Sequence, residues 1–435
     1  MKRYIVLLIL CMVIFSSCQN SSTVQEPVSD MQSDFADLYD LIVTRHPDVY
    51  AYTSEVDFAA TYDELMEEID EDLGFLDFYR LCVRLGALIG DGHVWIGMSN
   101  ADIRAFETDA KLFPGIIRVI DGKYYLTARL DGGSEGIGAE ILGINNRSIQ
   151  DIRDSLMKCL TSDGNQAAPK DYMLFERGLF SKYYSLYLSS DQSKYTLELD
   201  GDDGLTMLTI EGVSLTELRA HINQNQAPAY QYELLAGDIA YLQIGSFAFY
   251  GASEGRSFKR FIDQTFEEIN EFGVPNLIID VRGNGGGDPY ACVAVLNYIM
   301  PEDYTYFDQS MGYPDLNHSI EIYDDRYGGN VFILQDEGTF SSTGHFLSLV
   351  KDHEAAILVG QPSGATYTCN DNSQAFTLDH TKIRINLPTQ TYTTTAQNLE
   401  KGRGIASDFV VDKNLEDILN GEDTALEYCL SLIRK

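Results

Sequence analysis

Seven cysteines are present, but no two are spaced C-x-x-C, so the chain has neither a zinc-knuckle pattern nor a recognisable disulfide framework. There is no H-E-x-x-H and no Cys/His cluster with ligand spacing, so no metal and no cofactor is expected. Positive charge is scarce: 31 Lys+Arg stand against 66 Asp+Glu, a net charge of -35. Such a surface repels phosphate backbones and excludes nucleic acid as a partner. The acidic residues are spread along the chain, as on a well-solvated surface. The apolar run from Tyr4 to Phe15 is too short to span a bilayer, and no repeat or low-complexity tract interrupts the rest.

That apolar run carries information of its own. Lys2 and Arg3 precede it and Phe15-Ser16-Ser17-Cys18 closes it, the layout of a secretory signal. Small residues directly before a cysteine resemble the lipobox of bacterial lipoproteins. The resemblance implies a signal peptide over 1–17, lipidation of Cys18 and anchoring through the lipid to a membrane of the bacterial cell envelope, at the outer membrane or its periplasmic face. Residues 18–33 read as a polar tether, QNSSTVQEPVSD lacking any periodicity.

The length and a hydrophobic content of 44% point to two or three globular domains. Residues 34–105 have helical spacing: Phe35, Leu38, Leu41 and Ile42, then Phe58, Tyr62 and Leu65, then Phe75, Phe78, Leu81 and Leu85. The last stripe stops at Gly90-Asp91-Gly92, which leaves His93 in the loop before Val94-Trp95-Ile96. Residues 110–215 hold short β-type runs, 116–120, 124–127 and 139–144, with turn signals Asp121-Gly122 and Asn145-Asn146; a helix follows at 149–160 and two more strands at 193–213. Residues 235–435 alternate strands (239–244, 276–281, 331–334, 356–359) with helices (258–272, 288–299, 342–351), a pattern of parallel strands and crossover helices. The fold class is therefore α/β and multi-domain.

Three segments have the means for chemistry. Gly283-Asn284-Gly285-Gly286-Gly287 follows a strand and precedes a helix, so its N–H groups can converge on an anion; a tight turn is the plainer use. No G-K-[ST] follows, and the spacing is not that of a nucleotide loop. Gly338-Thr339-Phe340-Ser341-Ser342 lies at the next strand-to-helix turn, where a serine is either a helix cap or an exposed nucleophile beside free N–H groups. His93 at a helix end is either structural or the base that such a serine needs.

The stretches IIDVRGNGGGD, GTFSSTGHFLSLVKDHEAAILVGQPSG and LGALIGDGHVWI together resemble the C-terminal-processing (tail-specific) serine peptidases, and more nearly their tricorn-type branch. His46-Pro47 and GAEILGINNRSI (138–149) add to the likeness, the latter resembling a PDZ-type module. The resemblance covers about 34–412 and implies an N-terminal helical domain, a PDZ-like β module with a helical insertion, and a crotonase-like peptidase core. It implies Ser341 as nucleophile, an oxyanion hole from the N–H groups of Gly286 and Ser342, and His93 as base. The tail-specific branch places a lysine where Thr366 stands, so a Ser-Lys dyad is not available. Glu400 is the implied acid for His93, with Asp352 and Asp408 as alternatives. The chain departs from the family pattern at Gly344, where a glutamate is usual, and at Ser407-Asp408, where Pro-Asp is usual. The expected activity is cleavage of peptides or unfolded protein tails in the envelope; the alternative is a catalytically retired, peptide-binding lipoprotein on the same scaffold.

Overall fold

The computed structural model describes residues 27–434 except 165, 190–192, 203, 225–227, 236–237 and 310–311. The signal segment and Cys18 lie outside the described residues. Among the described residues no helix is long and apolar enough to cross a membrane.

Helices Val28–Arg45, Glu55–Glu67 and Phe75–Ala87 form the N-terminal unit. Their apolar stripes meet in one core, in which Phe35, Leu38, Ile42, Phe58, Leu65, Phe78 and Leu85 are fully buried. The first helix starts at Val28, inside the stretch read as tether. Asp30 sits in its first turn, where the helix dipole favours a carboxylate, and Met31 is already buried against the core. Beyond the third helix, strand Trp95–Gly97 pairs antiparallel with Arg384–Leu387, Ile96 opposite Ile385. Asp34, buried in the first helix, accepts the backbone N–H groups of His380 and Thr381 at 3.1 and 2.6 Å. These two ties fix the His93 loop to the C-terminal part of the chain.

The middle unit is an antiparallel sheet in which Gly115–Ile120, Lys123–Arg129, Glu140–Ile144, Lys194–Gly201 and Gly204–Glu211 are neighbours in that order. Asp121-Gly122 and Asn145-Asn146 take positive φ (51°, 75°, 51° and 61°), the backbone that two-residue hairpin turns demand. Between the third and fourth of these strands lie helices Ile149–Met157, Ala167–Asp171 and Phe180–Tyr187, with a π-helical turn at Tyr172–Glu176.

The C-terminal unit is built on a five-stranded sheet. Ile357–Gly360, Asn330–Gln335, Asn276–Asp280 and Ile239–Ile244 run parallel in that order, and Tyr230–Leu235 closes one edge antiparallel. Side chains alternate between two cores: Ala240, Leu242, Leu277, Ile279 and Ile333 face the helices Ala252–Phe272, Pro289–Ile299 and Ser342–Asp352, whereas Tyr241, Ile278, Phe332 and Leu334 face the last helix, Thr424–Ile433. The glycine loop leaves the carboxyl end of Asn276–Asp280 and the serine loop that of Asn330–Gln335. Ligand sites of parallel sheets form at such ends.

Candidate active site

The glycine and serine loops are held together by two side chains, the buried Asn284 and the half-buried Asp336. Asn284, with no exposure, donates through Nδ2 to Ile244 O at 2.9 Å; its Oδ1 accepts Gly286 N–H at 2.8 Å and Thr343 Oγ at 2.9 Å. Asp336 accepts Gly283 N–H at 2.8 Å and Gly338 N–H at 3.0 Å. Burial, with the charge of Glu337 nearby, pushes the Asp336 carboxyl up to about 6 against the opposing hydrogen bond from Gly283. Glycine is required where the loops touch: at Gly286 (φ 86°) a Cβ would stand 2.6 Å from Phe340 O and 2.9 Å from Ser342 N.

Ser341 stands immediately before the helix Ser342–Asp352 with φ 54° and ψ −128°, and its side chain does not cap that helix. A non-glycine residue in this region is strained, and such strain is held in place where surrounding structure over-determines it. The turn presents Oγ to His93, whose Nε2 lies 3.1 Å away. The imidazole packs on Phe340 at 4.4 Å between ring centroids. Gly92 is needed for this packing, since a Cβ there would lie 2.5 Å from the Phe340 ring. The two segments that meet are 248 residues apart in the chain.

Ser342 opens the helix, so its N–H has no intrahelical acceptor and is placed beside Ser341. The Gly286 N–H differs from expectation. It is turned onto Asn284 Oδ1, because an asparagine two residues back can bond its own loop in this way. The next peptide is held differently. Phe247 N–H donates to Gly286 O and Asp288 N–H to Phe247 O, at 3.0 and 2.8 Å, a parallel bridge that turns the Gly287 N–H away from Phe247.

The acid is also not where the sequence pointed. Glu400 is exposed and paired with Arg403 Nε at 2.9 Å. Asp352 accepts Gln397 N–H at 3.0 Å, and Asp408 pairs with Lys351 and accepts Leu358 N–H at 2.8 Å. The carboxylates near His93 are instead Asp91 and Asp163, which with the His93 ring place one ligand-type atom each within 4.8 Å of one another. His93 Nδ1 lies 3.8 Å from Asp91 Oδ1. Asp91 is fixed from all sides: Oδ1 accepts His93 N–H at 2.7 Å, while Oδ2 meets His46 Nε2 and accepts Asn370 Nδ2–H, both at 2.8 Å. Burial pushes the Asp91 carboxyl up, but the hydrogen bond with His46 and the charges of His93 and His46 outweigh it and hold it below the usual range. Asp163 accepts Gly92 N–H at 2.9 Å through Oδ1. Burial, opposed by the charge of His93 and reinforced by that of Asp91, pushes it up to about 6.

Asp163 was not legible because it lies in a different unit's connection. Its only local signal is the turn Ser162-Asp163-Gly164, whose Gly164 N–H donates to Gly90 O at 2.8 Å and so seats the turn against the His93 loop. His345, four residues after Ser341, is excluded as a second base by its surroundings: burial, with the charge of His93, pushes it down to about 3, and it faces Cys369 Sγ at 3.5 Å.

A serine on a strained strand-to-helix turn, a histidine at hydrogen-bond distance and adjacent backbone donors are the parts of acyl-transfer chemistry, and they define a serine-type peptidase. The comparisons agree: the model of peptidase family S41 matches residues 238–411, the part of the chain that carries both loops. In fold the chain is similar to mature CPAF complexed with lactacystin, at a TM-score of 0.68 and 14% identity, over 93% of this chain and 97% of that one. It is also similar to mature CPAF alone, at a TM-score of 0.67 and 14% identity, over 90% and 94% of the two chains.

Proposed function

We propose that the chain is an envelope peptidase that cleaves peptides or unfolded protein tails through an acyl-enzyme on Ser341, with His93 as base. The observation that carries this reading is the 3.1 Å approach of His93 Nε2 to Ser341 Oγ. His93, protonated on Nδ1, accepts the Ser341 proton on Nε2 as Oγ attacks a peptide carbonyl. The N–H groups of Ser342 and Gly287 receive the oxyanion. The imidazolium that forms is stabilised by Asp91 and Asp163, and then protonates the leaving amine; water, activated by the same ring, releases the acyl group.

Substrate access is supported by a groove of about 560 Å³ between the middle sheet and the core, lined by Ile116 and Arg118 of the edge strand, Tyr172, Arg177, and Gly283 of the glycine loop. An extended peptide added to that edge in the manner of a PDZ-type module would run toward the glycine loop. Lipidation at Cys18 would hold the peptidase at the envelope membrane. Hydrolysis of an unfolded protein by the purified chain tests the reading: Ser341→Ala and His93→Ala are each expected to lower kcat by about 10⁴–10⁶. Wild-type-like turnover in either variant would overturn it. The short His93–Ser341 distance speaks against a retired scaffold.

A further inference from the structure

Among the buried polar atoms with no hydrogen-bond partner in the described residues, His93 Nδ1 and Asp163 Oδ2 lie together on one side of the active site. Asp163 is only 5% exposed. Unpaired buried groups of this kind are costly and are satisfied by an ordered water or an ion. A cavity of about 20 Å³, room for one water-sized particle, opens against Asp91 and Asp163. Its outer wall includes Tyr52 and the exposed Lys401–Asp48 ion pair, which gives it a path to solvent.

We propose that His93 Nδ1, Asp91 and Asp163 form a site for a divalent transition-metal cation, zinc by its donors, whose occupancy switches the peptidase off. The imidazole nitrogen favours a first-row transition metal over magnesium or calcium, and zinc accepts carboxylate oxygens as its other ligands. The three atoms already lie within 4.8 Å of one another, and with Asp91 held in place the roughly 2.0–2.2 Å bonds that zinc needs would be reached by movement of Asp163 and the His93 ring. Asp91 is braced for the role by His46 and Asn370, which hold its other oxygen. The dication also neutralises two carboxylates that are otherwise buried side by side.

Inhibition follows from the tautomer. With Nδ1 free, the neutral ring holds its proton there, and the Nε2 lone pair is open to the Ser341 proton. A metal bonded to Nδ1 takes the lone pair there, and the ring's single proton passes through solvent from Nδ1 to Nε2, with no net gain or loss of protons. Nε2 becomes a donor toward Ser341 Oγ and can no longer act as base.

The effect on activity rests on the proposed role of His93, but binding does not, so the two are measured apart. Calorimetric titration of Ser341→Ala with zinc chloride should show one high-affinity ion per chain. Adding Asp163→Asn or His93→Gln to that variant should weaken it at least tenfold; two independent substitutions keep the test valid if one fails to fold. Labelling of the wild-type chain by a fluorophosphonate should slow at least tenfold at saturating zinc, recover with EDTA and ignore magnesium. No zinc binding, or binding equal in all variants, overturns the site and leaves the peptidase reading intact. Binding that leaves the labelling rate unchanged overturns the switch. A chain that never labels, even in EDTA, refutes the peptidase reading, while calorimetry still decides the site.

Discussion

Gly344 lies directly against Thr366: a Cβ on the glycine would stand 2.4 Å from Thr366 O and 2.6 Å from the Ala365 side chain. These are the positions at which the tail-specific peptidases resembled by the sequence carry a glutamate and a lysine. The two departures are therefore in contact with each other. With no side chain at 344 the helix sinks onto the 365–366 backbone, and Thr366 is buried, its hydroxyl donating to Thr368 O. Gly344→Ala is expected to cost about 1–3 kcal/mol of stability through overpacking, read by denaturant unfolding, and Thr366→Lys is expected to give no gain in activity in a His93→Ala background. A lysine that rescued turnover would show that the site still accepts the other chemistry.

Asp163 couples function to stability with opposite signs. Its carboxyl is raised from 3.8 to about 6 in the fold, so the native chain holds this proton more tightly than the unfolded chain does. The contribution to stability is therefore fully present below about pH 4 and is lost as pH rises through about 6, which makes the ionised, buried carboxylate a cost at neutral pH. Asp163→Asn should raise unfolding stability at pH 7.5 by on the order of 1–3 kcal/mol, with little gain at pH 4. Turnover should fall at least tenfold, because the imidazolium loses a neighbouring charge. Equal stabilisation at both pH values would mean that the carboxyl is not perturbed by burial.

Asn284 is the positioning residue of both loops. Asn284→Ala removes an acceptor from Gly286 N–H and Thr343 Oγ and a donor from Ile244 O, leaving buried groups unpaired. The expected loss is about 2–4 kcal/mol. If its role in the loops is as described, kcat falls while KM changes little, and Asn284→Asp, which keeps the acceptor, restores part of kcat. A change confined to KM would point to substrate contact instead.

The anchor has its own test. In a bacterial host, Cys18→Ala should move the chain from the membrane fraction to soluble material. Unchanged retention would remove the lipoprotein reading.

Much of the architecture was legible because local periodicity and packing agree. The stripe Phe35, Leu38, Ile42 is buried as its spacing predicts, and 239–244 and 276–281 pair in parallel as their alternation with helices predicts. The helix expected at 258–272 begins earlier, at Ala252, because its first turns are polar and carry no apolar signal. Ser341 and His93 were singled out by their turns and given roles only by the family resemblance; the structure brings them to 3.1 Å. Their partners were not legible: Asp163 enters from the insertion after the middle sheet's third strand, and Glu400, chosen by order in the chain, turns to solvent and Arg403. Sequence order also cannot show that Asn284 accepts the Gly286 N–H, the donor implied for the oxyanion hole. Contacts across hundreds of residues are set by packing, which no local pattern encodes.

The most direct measurement is active-site titration with a fluorophosphonate in EDTA, followed by peptide mapping. One phosphonate per chain should be found, on the peptide containing Ser341. It should be absent in Ser341→Ala and form at least about 10³ times more slowly in His93→Ala. An unlabelled wild-type chain, or a label that persists on another serine when Ser341 is replaced, would contradict the account.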